Sequence, residues 1–203
     1  MQQVLVVPFV LVPLFVVQPL GDPACTCEAD KLKNGWCGKC KVGYVAAVAI
    51  KSGVLFEALD AHGHRIDVNS MKCELCRKAL ASDGFCTRCN WGFIDQQLYH
   101  SKLTYSLAKG KAKVFSSIKC ARCRKNTLKP GWCDSCNVGM VGNVAFEDKK
   151  MFEQASREHR KLLAAVEIAR RCEICAVALI TDAKCPSCKK TYKDGKEVIK
   201  LPP

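Results

Sequence analysis

Helical periodicity is sustained over one long stretch of the chain. Residues 147 to 171, "EDKKMFEQASREHRKLLAAVEIARR", place Phe152, Ala155, His159, Leu162, Leu163, Val166 and Ala169 on one face, with Asp148 as N-cap. The opposite face carries Arg157, Arg160 and Lys161. A shorter helix is predicted from Ser52 through Val54, Leu55, Ala58 and Leu59, ending where "HGH" breaks the pattern. A third, built on Tyr99, Leu103 and Leu107, ends at Gly110 and the lysine-rich "KGKAK", which reads as a joint. The start of the chain is different in kind: Val4 to Val17 is an apolar run of fourteen residues interrupted only by Pro8 and Pro13. That is the length of a signal-peptide core and too short to span a bilayer, so export to the cell envelope is expected, with no transmembrane span in the mature protein. The run has no Lys or Arg before it, and Asp22 fits a cleavage site poorly although Ala24 fits well. A buried apolar strand in a cytoplasmic protein is the alternative.

Between these helices the apolar pattern is too thin to build an ordinary core. Aromatic residues make up 7% of the chain, whereas 16 of its 203 residues are cysteine, which points to cross-links or metals as the source of stability. The cysteines fall into quartets: Cys25, Cys27, Cys37, Cys40; Cys73, Cys76, Cys86, Cys89; Cys120, Cys123, Cys133, Cys136; and Cys172, Cys175, Cys185, Cys188. Nine residues always separate the second from the third cysteine. Three quartets are C-x2-C-x9-C-x2-C, and the first begins C-x-C because Ala24 stands where Cys120 stands in its sister.

The quartets alternate in type. "LKNGWCGKCKVGYV" and "LKPGWCDSCNVGMV" link the first to the third, while "CELCRKALASD" and "CEICAVALITD" link the second to the fourth. The economical reading is an A-B pair duplicated to A-B-A-B. Residues 1–23 are the leader. Residues 24–112 form the first half, with modules at 25–45 and 73–94, and 113–118 the joint. The second half is 119–195, with modules at 120–141 and 172–192, followed by a tail, 196–203.

Each C-x2-C is expected to be a turn aiming two sulfurs at one point, with a second such turn brought back by a hairpin to complete a tetrahedron. The reversal is expected at Asn34-Gly35, Asp83-Gly84 and Pro130-Gly131; Asp182-Ala183 in the fourth quartet implies a different turn. Gly43, Gly92 and Gly139 behind the second pair imply a positive backbone angle or a close chain approach, with the following aromatic or Met covering the site. These quartets resemble the zinc-ribbon class of metal-binding modules and, less closely, the rubredoxins. The resemblance covers about sixteen residues per quartet. It implies that all sixteen cysteines are ligands and that the chain holds three or four zinc ions, with iron as the chemical alternative. The fold expected is a small metal-stabilised α+β array of four tandem modules joined by amphipathic helices. The first site is expected to be imperfect: serine at Cys25 or Cys27 should cost less thermal stability than serine at Cys120 or Cys123. Disulfides are the competing use of the cysteines if the chain is exported.

The formal charge of +13 resembles that of a nucleic-acid binder, but a zinc held by four thiolates lowers the charge by about two, and four such sites bring it near +5. Basic residues beside the quartets (Lys119, Arg122, Arg124, Lys125, Arg170, Arg171, Lys189, Lys190, Lys193) and Trp36, Trp91 and Trp132 offer phosphate contacts and base stacking, but solvated lysines and packed tryptophans are the simpler expectation. "DAHGHRID" brings His62 and His64 near two carboxylates and is read as a solvated turn; His100 has no evident partner, and His159 is read as a packed residue. There is no phosphate loop, nucleophile elbow or dinucleotide fingerprint, and a zinc enclosed by four thiolates has no open position for water, so no enzyme is expected. The expected role is a zinc-binding scaffold for a macromolecular partner, protein before nucleic acid. Envelope metal handling or rubredoxin-like electron transfer is the second reading, and nucleic-acid binding the third.

Overall fold

The computed structural model of the protein describes residues 27–198, without the Glu28 side chain. The leader, Cys25 and the last five residues of the tail lie outside the described residues. Three units of the described chain repeat one path, a short helix, a strand, a tight hairpin and a return helix, and the fourth shows the helix and the hairpin. Unit one is α1 (Cys27–Lys33), β1 (Trp36–Cys37), β2 (Val42–Val45), β3 (Val48–Ile50) and α2 (Gly53–Leu59). Unit two is β4 (His64–Arg65), a 3-10 turn at Val68–Ser70, α3 (Glu74–Ala81), β5 (Phe85–Cys86), β6 (Trp91–Ile94), β7 (Gln97–Tyr99) and α4 (Lys102–Ala108). Unit three is β8 (Lys111–Ala112), a 3-10 turn at Phe115–Ser117, α5 (Ala121–Leu128), β9 (Gly131–Cys133), β10 (Val138–Val141), β11 (Val144–Phe146) and α6 (Lys149–Ala169). Unit four is α7 (Glu173–Ile180), β12 (Thr191–Lys193) and β13 (Lys196–Val198).

The sheets are antiparallel, ordered β1-β2-β3, β4-β7-β6-β5, β8-β11-β10-β9 and β12-β13. Units two and three thus share a fourth strand and a 3-10 entry, a likeness that crosses the A-B-A-B pairing. Part of the lysine-rich joint forms that strand, with Lys111 opposite Ala145 and Ala112 opposite Val144. Tyr99 likewise belongs to β7 and not to the helix after it.

The first cysteine pair of the second, third and fourth quartets is not a turn between strands. Cys73, Cys120 and Cys172 are extended N-cap residues, and Cys76, Cys123 and Cys175 lie one turn inside α3, α5 and α7. The C-x2-C spacing matches one helical turn, so both sulfurs lie on the same side of a helix end whose backbone N–H groups seek acceptors. The expected reversals are in fact helix stops. Asn34, Asp83 and Asp182 are left-handed, with φ of 52°, 48° and 53°. The next N–H, of Gly35, Gly84 or Ala183, donates to the carbonyl five residues back at 2.7, 2.7 and 2.9 Å, closing a Schellman turn. The fourth quartet therefore stops as the first two do. The third is the exception, because Lys129 is extended and Pro130 ends α5.

The hairpins follow the quartets, with tips at Ala46-Ala47, Asp95-Gln96, Gly142-Asn143 and Asp194-Gly195. Ala46 and Ala47 have φ of 47° and 63°, a conformation alanine adopts only when held there. The Asn34 side-chain oxygen accepts the Ala46 N–H at 3.0 Å, and Asp83 does the same for Asp95 at 3.0 Å. The residue that stops the first helix thereby pins the hairpin tip.

The return helices begin at Ser52, Ser101 and Asp148, whose oxygens accept the N–H groups of Leu55, Thr104 and Met151. Four residues on, Phe56, Tyr105 and Phe152 lie flat over Gly43, Gly92 and Gly139, where a Cβ would overlap each ring. Close approach is thus what these glycines supply, since only Gly142 and Gly195 among the described glycines have positive φ. The same rings meet Trp36, Phe85 and Trp132 at centroid distances of 5.3, 5.4 and 5.6 Å. In unit four Thr191 and Lys184 occupy the corresponding positions.

Units one, three and four share one core with part of unit two, in which Leu55 and Leu59 of α2, Leu103 and Leu107 of α4, Leu162 of α6 and Leu179 of α7 meet Val45, Val141 and Phe146. Units two and three each add a small private core, around Phe93 and around Met140. The face predicted for 147–171 needs two corrections. Leu163 is 46% exposed, while Ser156, Glu158 and Ala165 are buried in its place. Lys161, expected in solvent, lies 3.6 Å from Glu158 and 3.8 Å from Asp182 of unit four, its stem against Gly195. Val54 of α2 is also exposed.

His159 is packed as expected, 4% exposed with neither ring nitrogen hydrogen-bonded, and burial pushes its pKa down to about 4. The unfolded chain protonates this imidazole near pH 6.5 and the folded chain does not, so folding stability falls as pH drops from 6.5 toward 4. Wild type minus His159→Leu should show a pH-dependent stability difference on the order of 3 kcal/mol over that interval, read by denaturant titration at each pH. No helix among the described residues is long and apolar enough to cross a membrane.

Candidate metal centres

The helix end and the turn that follows β1, β5, β9 or Lys184 converge on one point in each unit. Cys73, Cys76, Cys86 and Cys89 place all four sulfurs within 4.8 Å of one another, as do Cys120, Cys123, Cys133 and Cys136, and Cys172, Cys175, Cys185 and Cys188. Each of these groups could hold a metal ion. Cys27, Cys37 and Cys40 converge in the same way, and the fourth expected ligand, Cys25, lies outside the described residues. No disulfide joins the described cysteines. Sulfur separations of 3.7 Å (Cys27 to Cys40), 3.9 Å (Cys120 to Cys133) and 3.6 Å (Cys172 to Cys188) match the edge of a tetrahedron with metal–sulfur bonds of about 2.3 Å. A disulfide would bring sulfurs to about 2.05 Å.

Each centre has an inner and an outer side. Cys76 and Cys86, Cys123 and Cys133, and Cys175 and Cys185 are buried, while the first and last sulfur of these three quartets reach the surface. Backbone N–H groups point at the sulfurs, with Cys175 N donating to Cys172 Sγ and Cys188 N to Cys185 Sγ, both at 3.4 Å. Such bonds favour the thiolate: the Cys76 N–H holds the Cys73 thiol down to about 7, and the Cys123 N–H does the same for Cys120. Three of the inner sulfurs behave oppositely, whereas the Cys188 N–H holds the buried Cys185 thiol down to about 7. Burial first, and then the neighbouring sulfurs, push Cys76 and Cys123 well above the ordinary thiol range, and burial pushes Cys175 up to about 12. Four thiolates cannot share so small a space without a cation among them, which is the electrostatic demand a metal ion meets.

The residue after each glycine position closes the centre. Tyr44, Phe93, Met140 and Tyr192 are all buried. Two of them also act chemically, because Tyr44 hydrogen-bonds Cys27 and Tyr192 hydrogen-bonds Cys175. The Cys27 contact, followed by burial, pushes the Tyr44 phenol up to about 12, and burial followed by the Cys175 contact raises Tyr192 above the usual phenol range. This hydroxyl–sulfur role is absent from the sequence reading, which treated the position as a cover alone; only the recurrence of Tyr at the same offset signals it. Tyr192→Phe keeps the packing and removes the hydroxyl, so the fourth centre should lose about tenfold or more in metal affinity, measured by competition with a chromophoric chelator. The second centre, already roofed by Phe93, should be unchanged in the same protein.

The remaining candidates separate. His62 Nε2 bonds the Lys33 carbonyl at 2.9 Å. His64 does not sit in a solvated turn but reaches Asp60 at 2.6 Å, and His100 reaches the same carboxylate at 3.5 Å. Trp36 and Trp132 pack on Phe56 and Phe152, and Trp91 meets the His100 ring edge-on at 5.8 Å. Three of the basic residues flanking the quartets are paired, Arg122 with Asp134 at 3.4 Å, Arg170 with Glu167 at 3.4 Å and Lys190 with Glu197 at 2.8 Å. Compared with known proteins, the chain matches no family model, no curated protein and no solved structure.

Proposed function

We propose that the chain is a non-catalytic zinc-binding scaffold of four four-cysteine centres, built from two A-B halves, that engages a protein partner. The observation that carries this reading is the closed geometry of the complete centres. All four sulfurs converge, two of them are buried, and a buried Tyr, Phe or Met roofs them. A metal held there has its coordination filled by thiolates, which leaves structure and not hydrolysis as its role. Support for a protein partner comes from a groove of about 880 Å³ between units one and three, walled by Leu32, Val48, Val114, Phe115, Leu128 and Leu163. Apolar walls of that kind suit a peptide better than a phosphate backbone.

The test is elemental analysis of the purified chain with a thiol count under denaturing, chelating conditions. Three or four zinc ions and 16 free thiols per chain are expected. Absence of metal together with few free thiols would overturn the reading in favour of a disulfide-built protein. Iron in place of zinc would move the role to electron transfer. Tight binding to single-stranded nucleic acid that weakens steeply with salt would replace the protein partner.

A further inference from the structure

We propose that Asp60, His64 and His100 form a fifth metal site, of nitrogen and oxygen character, that takes Zn²⁺ or a similar divalent transition ion and ties unit one to unit two. The three residues come from the ends of three different elements. Asp60 is the left-handed residue that ends α2, His64 opens β4, and His100 follows β7. Strand register brings the histidines together. His64 stands opposite Leu98, so side-chain alternation puts His100, two residues on, on the same face. Gly92 stands opposite Tyr99, and one step further Trp91 meets His100, steadying its ring.

The geometry is that of a tripod. One ligand atom from each residue lies within 4.8 Å of the other two. The imidazoles, with centroids 5.4 Å apart, both turn Nε2 toward the Asp60 carboxylate, His64 to one oxygen and His100 to the other. Two neutral imidazoles and one carboxylate are a borderline donor set that suits zinc and its neighbours. The His64 and His100 side chains are about half exposed, at 49% and 42%, so the rings can close on an ion of ordinary bond length without disturbing a core. Three protein ligands leave at least one position for water. The site is therefore exchangeable, unlike the enclosed sulfur centres, and it clamps the end of α2 to the sheet of unit two. It stands independently of how the cysteines are used.

The test uses the full chain as purified, dialysed against a moderate chelator to strip loosely held ions, with Zn²⁺ returned and counted by equilibrium dialysis. One additional zinc per chain is expected to bind and to be competed away without loss of metal from the cysteines. His64→Gln and His100→Gln should each weaken that zinc at least about tenfold. His62→Gln, whose ring faces the Lys33 carbonyl, should leave it unchanged. On the wild-type chain, side-chain ¹⁵N spectra should show zinc moving the Nε2 signals of His64 and His100. No additional zinc, full affinity in the His64→Gln/His100→Gln chain, or zinc-dependent shifts confined to His62 would each overturn the assignment. Failure of the four-cysteine reading is distinguished by newly reactive thiols with the imidazole signals unaltered.

Discussion

Stripping the metals with a strong chelator under reducing conditions is expected to dissolve the cysteine-bearing helices and hairpins of units two and three while the helices of the shared core stay collapsed. The private core of unit two contains Met71, Cys76, Ala79, Cys86, Phe93 and Leu98, so ligand sulfurs are part of the little apolar surface it has. In unit three Cys123 and Cys133 stand beside Ile118, Met140 and Ala145. The helices α3 and α5 span 8 residues each, short of the roughly 12–15 at which an isolated helix becomes even marginal. Metal binding at a structural site contributes on the order of 10 kcal/mol, comparable to the whole stability of a typical domain at about 5–15 kcal/mol. The 21-residue α6 is different, since its buried face meets α2, α4 and α7 through side chains that ligate nothing. Hydrogen exchange after chelation should therefore show loss of protection in α3, α5 and their hairpins, with α6 retaining the most. Unchanged protection of α3 and α5 would show that apolar packing suffices and that the cysteines are not structural metal ligands.

Alanine at Gly92 or Gly139 is expected to destabilise the protein by about 1–3 kcal/mol, the usual cost of forcing an extra carbon into a packed core. The new methyl would run into Tyr105 or Phe152, and those rings have nowhere to go: each is held from behind by Phe85 or Trp132 and from its own helix by the Ser101 or Asp148 cap. Gly38 is the control, because a Cβ there meets nothing within 4 Å, and its replacement should be close to neutral. Phe152→Ala alone should cost about 3–5 kcal/mol. In the Gly139→Ala/Phe152→Ala chain the two losses should sum to less than their separate values, since the methyl then fills space the ring has left. Additive losses in denaturant titration would place the effect in the strand and not in the contact.

The spacing of the cysteines was enough to group them, because a constant interval of nine residues survives every other change between the units. The local form of that interval was not legible. "ELCRKALASDG" reads equally as a connection with a turn at its end or as a helix with a stop, and the structure takes the second course, Cys73 capping one end and Asp83 reversing the other. Hairpin tips at Ala46-Ala47 and Asp95-Gln96 carry none of the Asn-Gly or Asp-Gly signals that mark such turns, since distant side chains, Asn34 and Asp83, hold them in place. The helix 147–171 was read correctly in extent and cap, but its buried face is rotated toward Ser156 and Glu158, because α4 and α7 flank it on sides that one-dimensional periodicity does not distinguish. His100 had no visible partner because its neighbours come from α2 and β4, some 36 to 40 residues earlier in the chain, and only strand register joins them.

The placement of α7 bears on the order in which a growing chain can finish. This helix follows α2 by more than 110 residues, yet it packs through Ala176, Leu179 and Ile180 into the space between α2 and α6. Units two and three have cores of their own and can close around metal as soon as each quartet leaves the ribosome. Unit one must wait with the apolar side of α2 uncovered until α7 emerges. A nascent chain stopped just before Cys172 is thus a species with two finished metal centres and an open apolar face, the form of this protein most in need of a chaperone.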